Sequence, residues 1–256
     1  MRSLLFVPAV KKMLNKISEF SADAYIVDLE DSITLDKKEE ALASLIEYLK
    51  NNHQNIYVRV DSNLIQKELK ALSEYSFAGY MLPKFENPDD YVDYMEEFNK
   101  RKIIALVETP LGVVNIKQIA SCEWVDYIAF GAEDFTASIG MQNRAEYLNG
   151  IRSRVVMFSN AFGKPVFDTP SFILDDPEAL RNEVQLAQDM GFDGKMSINP
   201  KQLPVIDEIF KSCDVKYLQS IIDRYEQANE AVMKIDGKVY EKMHINHIKK
   251  ILKERL

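Results

Sequence analysis

Short runs of apolar residues, separated by longer amphipathic segments, dominate about the first 200 positions of the chain. The runs are almost continuously apolar rather than alternating, which is typical of strands buried on both faces of a parallel sheet. They predict eight strands: LLFVPA (4–9), AYIVDLE (24–30), NIYVRVD (55–61), GYMLPK (79–84), KIIALVE (102–108), WVDYIAFG (124–131), PVFDTP (165–170) and GKMSIN (194–199).

The segments between these runs have helical patterns. KKEEALASLIEYLK (37–50) repeats apolar residues such as Leu45 on one side of a helix. DPEALRNEVQLAQDMG (176–191) has Pro177 near its start and Gly191 just past its end, the usual asymmetry of helix boundaries. The alternation of strand and helix predicts parallel strands joined by helical crossovers.

Eight such units predict a closed α/β fold, a (β/α)8 TIM barrel spanning residues 1–210. An open, doubly wound sheet is the rival, but it usually has a glycine-rich phosphate turn after its first strand. Here that strand ends in VPAVKK, without glycine. Residues 211–256 are predicted to form a C-terminal helical extension that could pack on a neighbouring subunit. Its helices are KYLQSIIDRYEQANEAVMK and KMHINHIKKILKERL.

Composition narrows the classes of function. The chain of 256 residues has a net charge of −8, which argues against a general nucleic-acid binder. The opening MRSLLFVPAVKK has no small-residue cleavage site, and no apolar run approaches the ~20 residues that span a bilayer, so we expect neither a signal peptide nor membrane contact. Cys122 and Cys213 have no metal or redox spacing, and we expect reduced thiols in a cytoplasmic protein.

Polar side chains recur at the ends of the predicted strands. The active sites of TIM barrels are built where strands end and the following loops begin. The residues in question are Arg2 at the start of strand 1, Asp28, Glu30 and Asp31 in strand 2 and just after it, Arg59 in strand 3, Lys84 at the end of strand 4, Glu108 at the end of strand 5, Glu133 and Asp134 after strand 6, Asp168 in strand 7, and Asn199 at the end of strand 8.

Carboxylates gathered at one rim raise each other's pKa unless cations relieve them. Glu108 and Asp134 follow neighbouring strands and suit Mg²⁺, which binds through one or two carboxylates and keeps several waters. The histidines, His53, His244 and His247, are not at strand ends, so a zinc site is not predicted.

Arg59 and Lys84 would then bind an anionic substrate, since the arginine fork matches a carboxylate. A plainer interpretation stays open for each of these residues. A strand-end acid often caps the next helix or forms half of a salt bridge, and Arg59 could simply neutralise Asp28 or Glu30. The residues alone therefore predict a barrel with a cation-binding acidic rim and no particular reaction.

Several motifs occur in the order and spacing of a known family. They are RSLLFVPA, ADAYIVDLEDSI, VRVDS, YMLPKFEN, LVETPLGVVNI, IAFGAEDFTASIG, GIRSRVV and MGFDGKMSINPKQL. This set resembles the citrate lyase beta-subunit-like family of the HpcH/HpaI aldolase superfamily. The resemblance implies a TIM barrel and Mg²⁺-dependent lysis or formation of a carbon–carbon bond on an acyl thioester, usually a coenzyme A ester.

The resemblance also implies roles for individual residues. Glu108 and Asp134 resemble the two metal carboxylates. Arg59 resembles the catalytic arginine that binds the keto or carboxylate end of the substrate. Arg2 and Lys84 are expected to contact the substrate carboxylate or the coenzyme A phosphates.

Further residues are expected to support or complete the chemistry. Asp28, Glu30 and Asp31 resemble groups that orient Arg59 and metal-bound waters, and we count Asp31 with the catalytic residues. Glu241 occupies the position of a C-terminal aspartate that, in relatives, reaches the site of the next subunit as acid or base. The chain departs from the pattern in having Ala9 where relatives have glycine, and in carrying this longer acid.

The expected activity is that of an oxo-acid lyase acting on a citryl-, malyl- or citramalyl-CoA-like thioester. Its products are a keto acid and an acyl thioester carried by CoA or a carrier protein. A thioesterase or condensing enzyme on the same scaffold is one alternative, and a catalytically weakened keto-acid-binding subunit is another. The resemblance further implies a homo-oligomer, a trimer or a hexamer.

Overall fold

A computed structural model gives the structure of residues 1–52, 55–98, 101–211, 215–228 and 230–253. In the described chain, eight parallel strands close into a barrel in the order β1 to β8. The strands are β1 (Ser3–Pro8), β2 (Ala24–Asp28), β3 (Ile56–Arg59), β4 (Gly79–Leu82), β5 (Lys102–Val107), β6 (Tyr127–Phe130), β7 (Val166–Asp168) and β8 (Gly194–Ser197). The TIM barrel expected from the sequence is confirmed.

Helices follow the strands and surround the barrel. They are α1 (Lys11–Leu14), α2 (Lys38–Leu49), α3 (Ile65–Leu72), α4 (Met95–Phe98), α5 (Pro110–Val114), α6 (Ile116–Ser121), α7 (Ala132–Ile139), α8 (Ala145–Ala161), α9 (Pro177–Asp189) and α10 (Leu203–Lys211). Short 3₁₀ turns occupy Ile17–Glu19, Leu35–Lys37, Pro88–Tyr94 and Pro200–Gln202. The two helices predicted over 37–50 and 176–191 are therefore present, with slightly shorter bounds.

All eight predicted strands are present, but several were predicted to continue too far. Glu30, Asp61, Lys84 and Glu108 lie beyond the last paired residue of their strands. The chain leaves the hydrogen-bonded ladder there and forms the loops of the barrel rim, which apolarity alone does not reveal.

The apolar residues form two layers in the barrel unit. The inner layer fills the barrel with Leu4, Ala24, Ile26, Tyr57, Met81, Ile104, Leu106, Ala129, Phe167 and Met196. The outer layer lies between the strands and the helices and includes Leu45 and Leu49 of α2. Burial on both faces explains why the strands read as continuous apolar runs.

The structure divides into two compact units, Met1–Phe210 and Lys211–Leu256. The second unit contains α11 (Val215–Ala228), a hairpin of β9 (Val232–Ile235) and β10 (Lys238–Glu241), and α12 (Lys242–Lys253). Its own apolar core consists of Ile221, Ile222, Ile235, Ile245, Ile248 and Leu252.

The hairpin corrects the prediction of a helix running to Lys234. The turn is the pair Asp236 and Gly237, both with positive φ (48° and 85°), as a two-residue hairpin loop of type I′ requires. The sequence Asp-Gly is a strong hairpin signal, and it should have ended the predicted helix earlier.

In the described residues, no helix combines the length and apolarity needed to cross a membrane. Cys122, a half-buried free thiol, follows α6. Cys213 and His53, which also entered the sequence predictions, lie outside the described residues. His244 and His247 are exposed on α12.

Candidate active site

A cavity of about 430 Å³ opens at the carboxyl ends of the barrel strands. Its walls combine apolar residues with acids and one arginine. The lining consists of Phe6, Pro8, Asp28, Asp31, Ser32, Arg59, Leu106, Glu108, Gly131, Ala132, Glu133, Asp134, Thr169, Pro170, Phe172, Met196 and Ile198. These residues come from loops and strand ends distributed around the barrel, as expected for the active site of this fold.

Arg59 is the last residue of β3, and strand register places it beside Asp28, the last residue of β2. Its Nε donates to Asp28 Oδ1 at 2.7 Å, and its Nη2 donates to Asp28 Oδ2 at 2.8 Å. Burial acts to raise the pKa of Asp28, but the hydrogen bonds and charge of Arg59 hold that pKa below its ordinary value. This fork is the strongest kind of protein ion pair and fixes the plane of the guanidinium group.

The third guanidinium nitrogen, Nη1, faces two further acids. It donates to Asp31 Oδ2 at 3.2 Å and lies 3.2 Å from Glu30 Oε2. The Asp31 carboxylate is 55% exposed and the contact is long, so a ligand carboxylate can replace it at Nη1 with little loss. The guanidinium also lies 5.1 Å from the centre of the Phe6 ring.

The plainer interpretation of Arg59 therefore describes part of its environment correctly. Arg59 does neutralise Asp28 and Glu30, and it also lines the cavity. Burial raises the pKa of Glu30, with Arg59 and Lys84 opposing that shift. The Lys84 ammonium group lies 2.7 Å from Glu30 Oε1.

Glu108 follows β5 and is almost fully buried. Its Oε1 accepts the main-chain N–H of Lys84 at 2.9 Å, and Lys84 adopts a left-handed conformation with φ of 49°. Burial raises the pKa of Glu108 to about 8, and the charge of Asp134 adds to the shift. A buried acid beside a second acid is a group whose charge a bound cation would stabilise.

Gly131 makes room for Glu108. It follows β6, and its N–H donates at 3.1 Å to the carbonyl of Val107, the residue that precedes Glu108. A Cβ atom at position 131 would lie 2.6 Å from Glu108 Oε2 and 2.7 Å from Glu108 Cβ. Such distances are closer than real side chains allow, so the conformation of Glu108 depends on glycine here.

Asp134 lies in the first turn of α7, half-exposed, and lines the same cavity as Glu108 and Arg59. Its neighbour Glu133 accepts from the side-chain amide of Asn143 at 2.5 Å. The three residues on which the predicted chemistry depends thus surround one cavity.

Two carboxylates and no nitrogen or sulfur ligand suit a hard cation such as Mg²⁺, which keeps waters and accepts substrate oxygens. Among the described residues, no three His, Cys, Asp or Glu side chains are close enough to form a complete metal cage. The donor set therefore fits an open magnesium site and not a structural zinc site.

Arg2 corrects a sequence prediction. It precedes β1, whereas Pro8 at the other end of that strand lines the cavity. A strand of this length spans roughly 20 Å, and Arg2 is at the amino-terminal end, where its Nη1 donates to the Asp193 carbonyl at 2.8 Å. The prediction that Arg2 binds substrate is wrong, because the strand runs from Arg2 towards the site.

Lys84 and Glu241 also differ from the simplest expectation. The Lys84 side chain pairs with Glu30 and is not among the cavity-lining residues. Glu241 lies at the end of β10 in the second unit, exposed, with its N–H donating to His244 Nδ1 at 3.0 Å. Its expected role in a neighbouring subunit stays a prediction.

Asp168, one of the strand-end residues noted in the sequence, belongs to a buried ionic cluster that was not predicted. Asp168 is fully buried, accepts from Arg152 at 3.0 and 2.8 Å, and accepts from Lys195 at 2.7 Å. Lys195 also pairs with Glu183 at 2.9 Å. A lysine inside the apolar run of β8 was the available signal, since buried lysines are rare unless paired.

A sequence model of the HpcH/HpaI aldolase/citrate lyase family matches residues 2–200. The chain belongs to this family. The resemblance seen in the ordered motifs is thereby confirmed, and the match covers the barrel from before β1 to the end of β8.

Three proteins of known activity or structure are similar to this HpcH/HpaI family member. It is 29% identical to a (3S)-malyl-CoA thioesterase of Cereibacter sphaeroides, over 95% of this chain and 90% of the relative. It is 28% identical to human mitochondrial citramalyl-CoA lyase, over 88% and 76%. A solved citrate lyase beta subunit of Mycobacterium tuberculosis, complexed with oxaloacetate and magnesium, matches with a TM-score of 0.73 at 28% identity, over 82% of this chain and 96% of that one.

Proposed function

We propose that this protein is a Mg²⁺-dependent carbon–carbon lyase that cleaves a 3-hydroxyacyl thioester into a keto acid and an acyl thioester. The observation that carries the proposal is the convergence of Arg59, Glu108 and Asp134 on one cavity. A family member of similar fold is described as a complex with oxaloacetate and magnesium, a pairing that this donor set suits.

Different residues would bind the metal ion and the substrate carboxylate. Glu108 and Asp134 would hold Mg²⁺, which when bound supplies a Lewis acid for the oxygens of the keto acid. Arg59 would bind the substrate carboxylate through Nη1, with Asp28 holding the guanidinium in place. Because the fork to Asp28 is already formed, little reorganisation accompanies substrate binding.

The cleavage itself is a proton transfer coupled to bond scission. The 3-hydroxyl loses its proton to a base, its oxygen becomes the keto oxygen, and the C2–C3 electron pair moves to C2. The resulting thioester enolate then takes a proton at C2. The apolar walls formed by Phe6, Leu106 and Met196 limit water in the cavity and so protect that enolate.

Glu241 is the proposed acid or base from a second subunit. An exposed carboxylate at the end of a hairpin is free to meet another chain. The oligomer is then part of the active site, and a trimer or a hexamer stays a prediction, as does a cytoplasmic location.

Coenzyme A is the proposed thioester carrier, in view of the relatives that act on malyl-CoA and citramalyl-CoA. Ala9, which follows β1, is fully buried, and its N–H donates to the Asp28 carbonyl at 3.0 Å. The mouth of the cavity carries exposed Phe172 and Ile198, which suit an apolar segment of a thioester.

Thioester hydrolysis is the second candidate, because a relative at 29% identity is a (3S)-malyl-CoA thioesterase. The two activities differ in the bond that breaks. A lyase yields a keto acid and an acyl-CoA, whereas a thioesterase yields a hydroxy acid and free CoA.

The deciding experiment incubates the purified protein with Mg²⁺ and with malyl-CoA or citramalyl-CoA, and quantifies all four products. We expect keto acid and acyl-CoA in equal amounts. Glu108→Gln and Asp134→Asn should each reduce turnover by at least about a hundredfold, since losing one group that stabilises developing charge has that effect.

Glu123→Gln removes an exposed acid that follows α6 and serves as the matched control. Free CoA without keto acid would favour hydrolysis. Equal turnover in the wild type and both site variants would contradict the proposed metal site.

A further inference from the structure

Lys38 is a lysine in a position that disfavours it. It is the first residue of α2, where the helix dipole repels a positive charge, and it is only 8% exposed. Its ammonium group donates to the carbonyl of Leu29 at 2.6 Å and to the carbonyl of Glu30 at 2.5 Å. A buried cation at a helix start therefore has a specific set of partners.

Those partners belong to the loop that supplies acids to the site. The loop after β2 carries Glu30 and Asp31, which face Arg59. Its N–H groups at Glu30 and Ser32 donate to the Asp28 carboxylate at 2.9 and 3.0 Å. The loop is thus held by two charged groups. The Asp28 carboxylate accepts hydrogen bonds from its N–H groups, and the Lys38 ammonium group donates to its carbonyls.

Lys38 also ties this loop to the next one. Its ammonium group lies 2.7 Å from Asp61 Oδ2, and Asp61 follows β3, two residues beyond Arg59. The N–H of Asp61 in turn donates to the buried Glu68 carboxylate at 2.8 Å. Lys38 itself does not line the cavity, so any effect on a ligand must pass through these loops.

We propose that Lys38 is a positioning residue that fixes the loop carrying Glu30 and Asp31, and thereby sets the position of Arg59 for keto-acid binding. The inference deepens the proposed function and rests on it. Neither Glu108 nor Asp134 is among the contacts of Lys38. Loss of the ammonium group should therefore weaken keto-acid binding and spare metal binding.

The test compares Lys38→Met, Lys38→Arg and Asp61→Asn with Lys37→Met, a control that removes the exposed neighbouring lysine. Calorimetry measures Mg²⁺ affinity alone and then oxaloacetate affinity in saturating Mg²⁺. Circular dichroism verifies that each variant is folded. Asp61→Asn keeps the two carbonyl contacts and serves if Lys38→Met does not fold.

We expect Lys38→Met to lower oxaloacetate affinity by about tenfold or more, the loss associated with hydrogen bonds to a charged group. Its Mg²⁺ affinity should stay within about twofold of wild type, since Lys38 contacts neither of the proposed metal carboxylates. Lys38→Arg should restore part of the oxaloacetate affinity, and Asp61→Asn should lose less than Lys38→Met. Unchanged oxaloacetate affinity in Lys38→Met, or an equal fall in both affinities, would overturn the inference.

Amide hydrogen exchange separates this inference from the proposed function. In Lys38→Met, the amides of Glu30 and Ser32 should exchange faster by about tenfold or more, with Lys37→Met equal to wild type. If the wild-type protein binds no oxaloacetate, the proposed function fails, and the exchange of these two amides decides the role of Lys38 alone. Unchanged exchange would refute it.

Discussion

Replacing Gly131 by alanine adds one methyl group at the point where β6 meets Glu108. The Cβ atom would lie 2.6 Å from Glu108 Oε2 and 2.7 Å from Glu108 Cβ, against an ordinary contact of 3.4 Å or more. The backbone angles of Gly131, φ −104° and ψ 102°, suit alanine, so the perturbation is purely steric.

The size of the effect follows from these distances. The gap between 2.6 Å and 3.4 Å requires a relative displacement of about 0.8 Å. Glu108 Cβ cannot rotate away, so the strand ends themselves must move. A displacement near 1 Å in a catalytic group reduces activity by about a hundredfold, and overpacking a buried position destabilises a protein by about 1–3 kcal/mol.

The assay measures Mg²⁺ affinity by calorimetry, turnover of the thioester, and Tm. Gly150→Ala is the matched control, because Gly150 lies in α8 and an added Cβ would meet nothing within 4 Å beyond its chain neighbours and the backbone of its own helix. We expect that control to keep full activity and to gain about 0.5–1 kcal/mol, since alanine favours a helix over glycine. Wild-type Mg²⁺ affinity and turnover in Gly131→Ala would refute the close packing of Glu108.

Three further predictions concern other charged groups. Arg59→Lys should weaken oxaloacetate binding by about tenfold or more, since one ammonium group cannot replace the fork to Asp28, and an unchanged affinity in calorimetry would contradict this. Asp168→Asn should lower Tm by about 10 °C in a thermal scan, because it leaves Lys195 and Arg152 buried without the anion that both contact. A Tm equal to wild type would show that the cluster adds no stability. Glu68→Gln should remove a pH dependence of stability. Burial raises the pKa of Glu68 from 4.5 to about 7, so the native protein holds that proton more tightly than the unfolded chain does. The free energy of unfolding of the wild type should therefore fall by up to about 3 kcal/mol relative to the variant as the pH rises from about 4.5 to about 7. Parallel denaturant-unfolding profiles of the two proteins across this pH range would contradict it.

The barrel was predictable because each strand is buried on both faces. Continuous apolar runs mark such strands, and eight of them in alternation with helices leave few alternative folds. The strand ends were less predictable, since Lys84 and Glu108 lie past the last residues of β4 and β5, and Lys84 turns the chain with a positive φ. Residue pattern alone gives the position of a strand more reliably than its last residue.

The site was predictable where polar residues interrupt apolar runs at the rim, as Arg59 and Glu108 do. Arg2 was misplaced because the direction of β1 was not applied to it, although the strand order already implied it. Gly131 was missed because its importance is a distance to Glu108, which no local pattern records. Lys38 was missed because two of its partners are main-chain carbonyls, which every residue possesses, and the third, Asp61, is distant in the sequence.

The left-handed conformation of Lys84 has a consequence for laboratory evolution of this site. The N–H that orients Glu108 belongs to the main chain, whereas the ammonium group reaches Glu30. Randomising codon 84 should therefore yield functional clones mainly with glycine, asparagine or aspartate, which tolerate a positive φ. Valine and isoleucine should be depleted from such libraries, because they tolerate a positive φ poorly. Backbone geometry thus limits the residues allowed at this position, whereas the N–H contact with Glu108 is available to every residue that adopts this conformation.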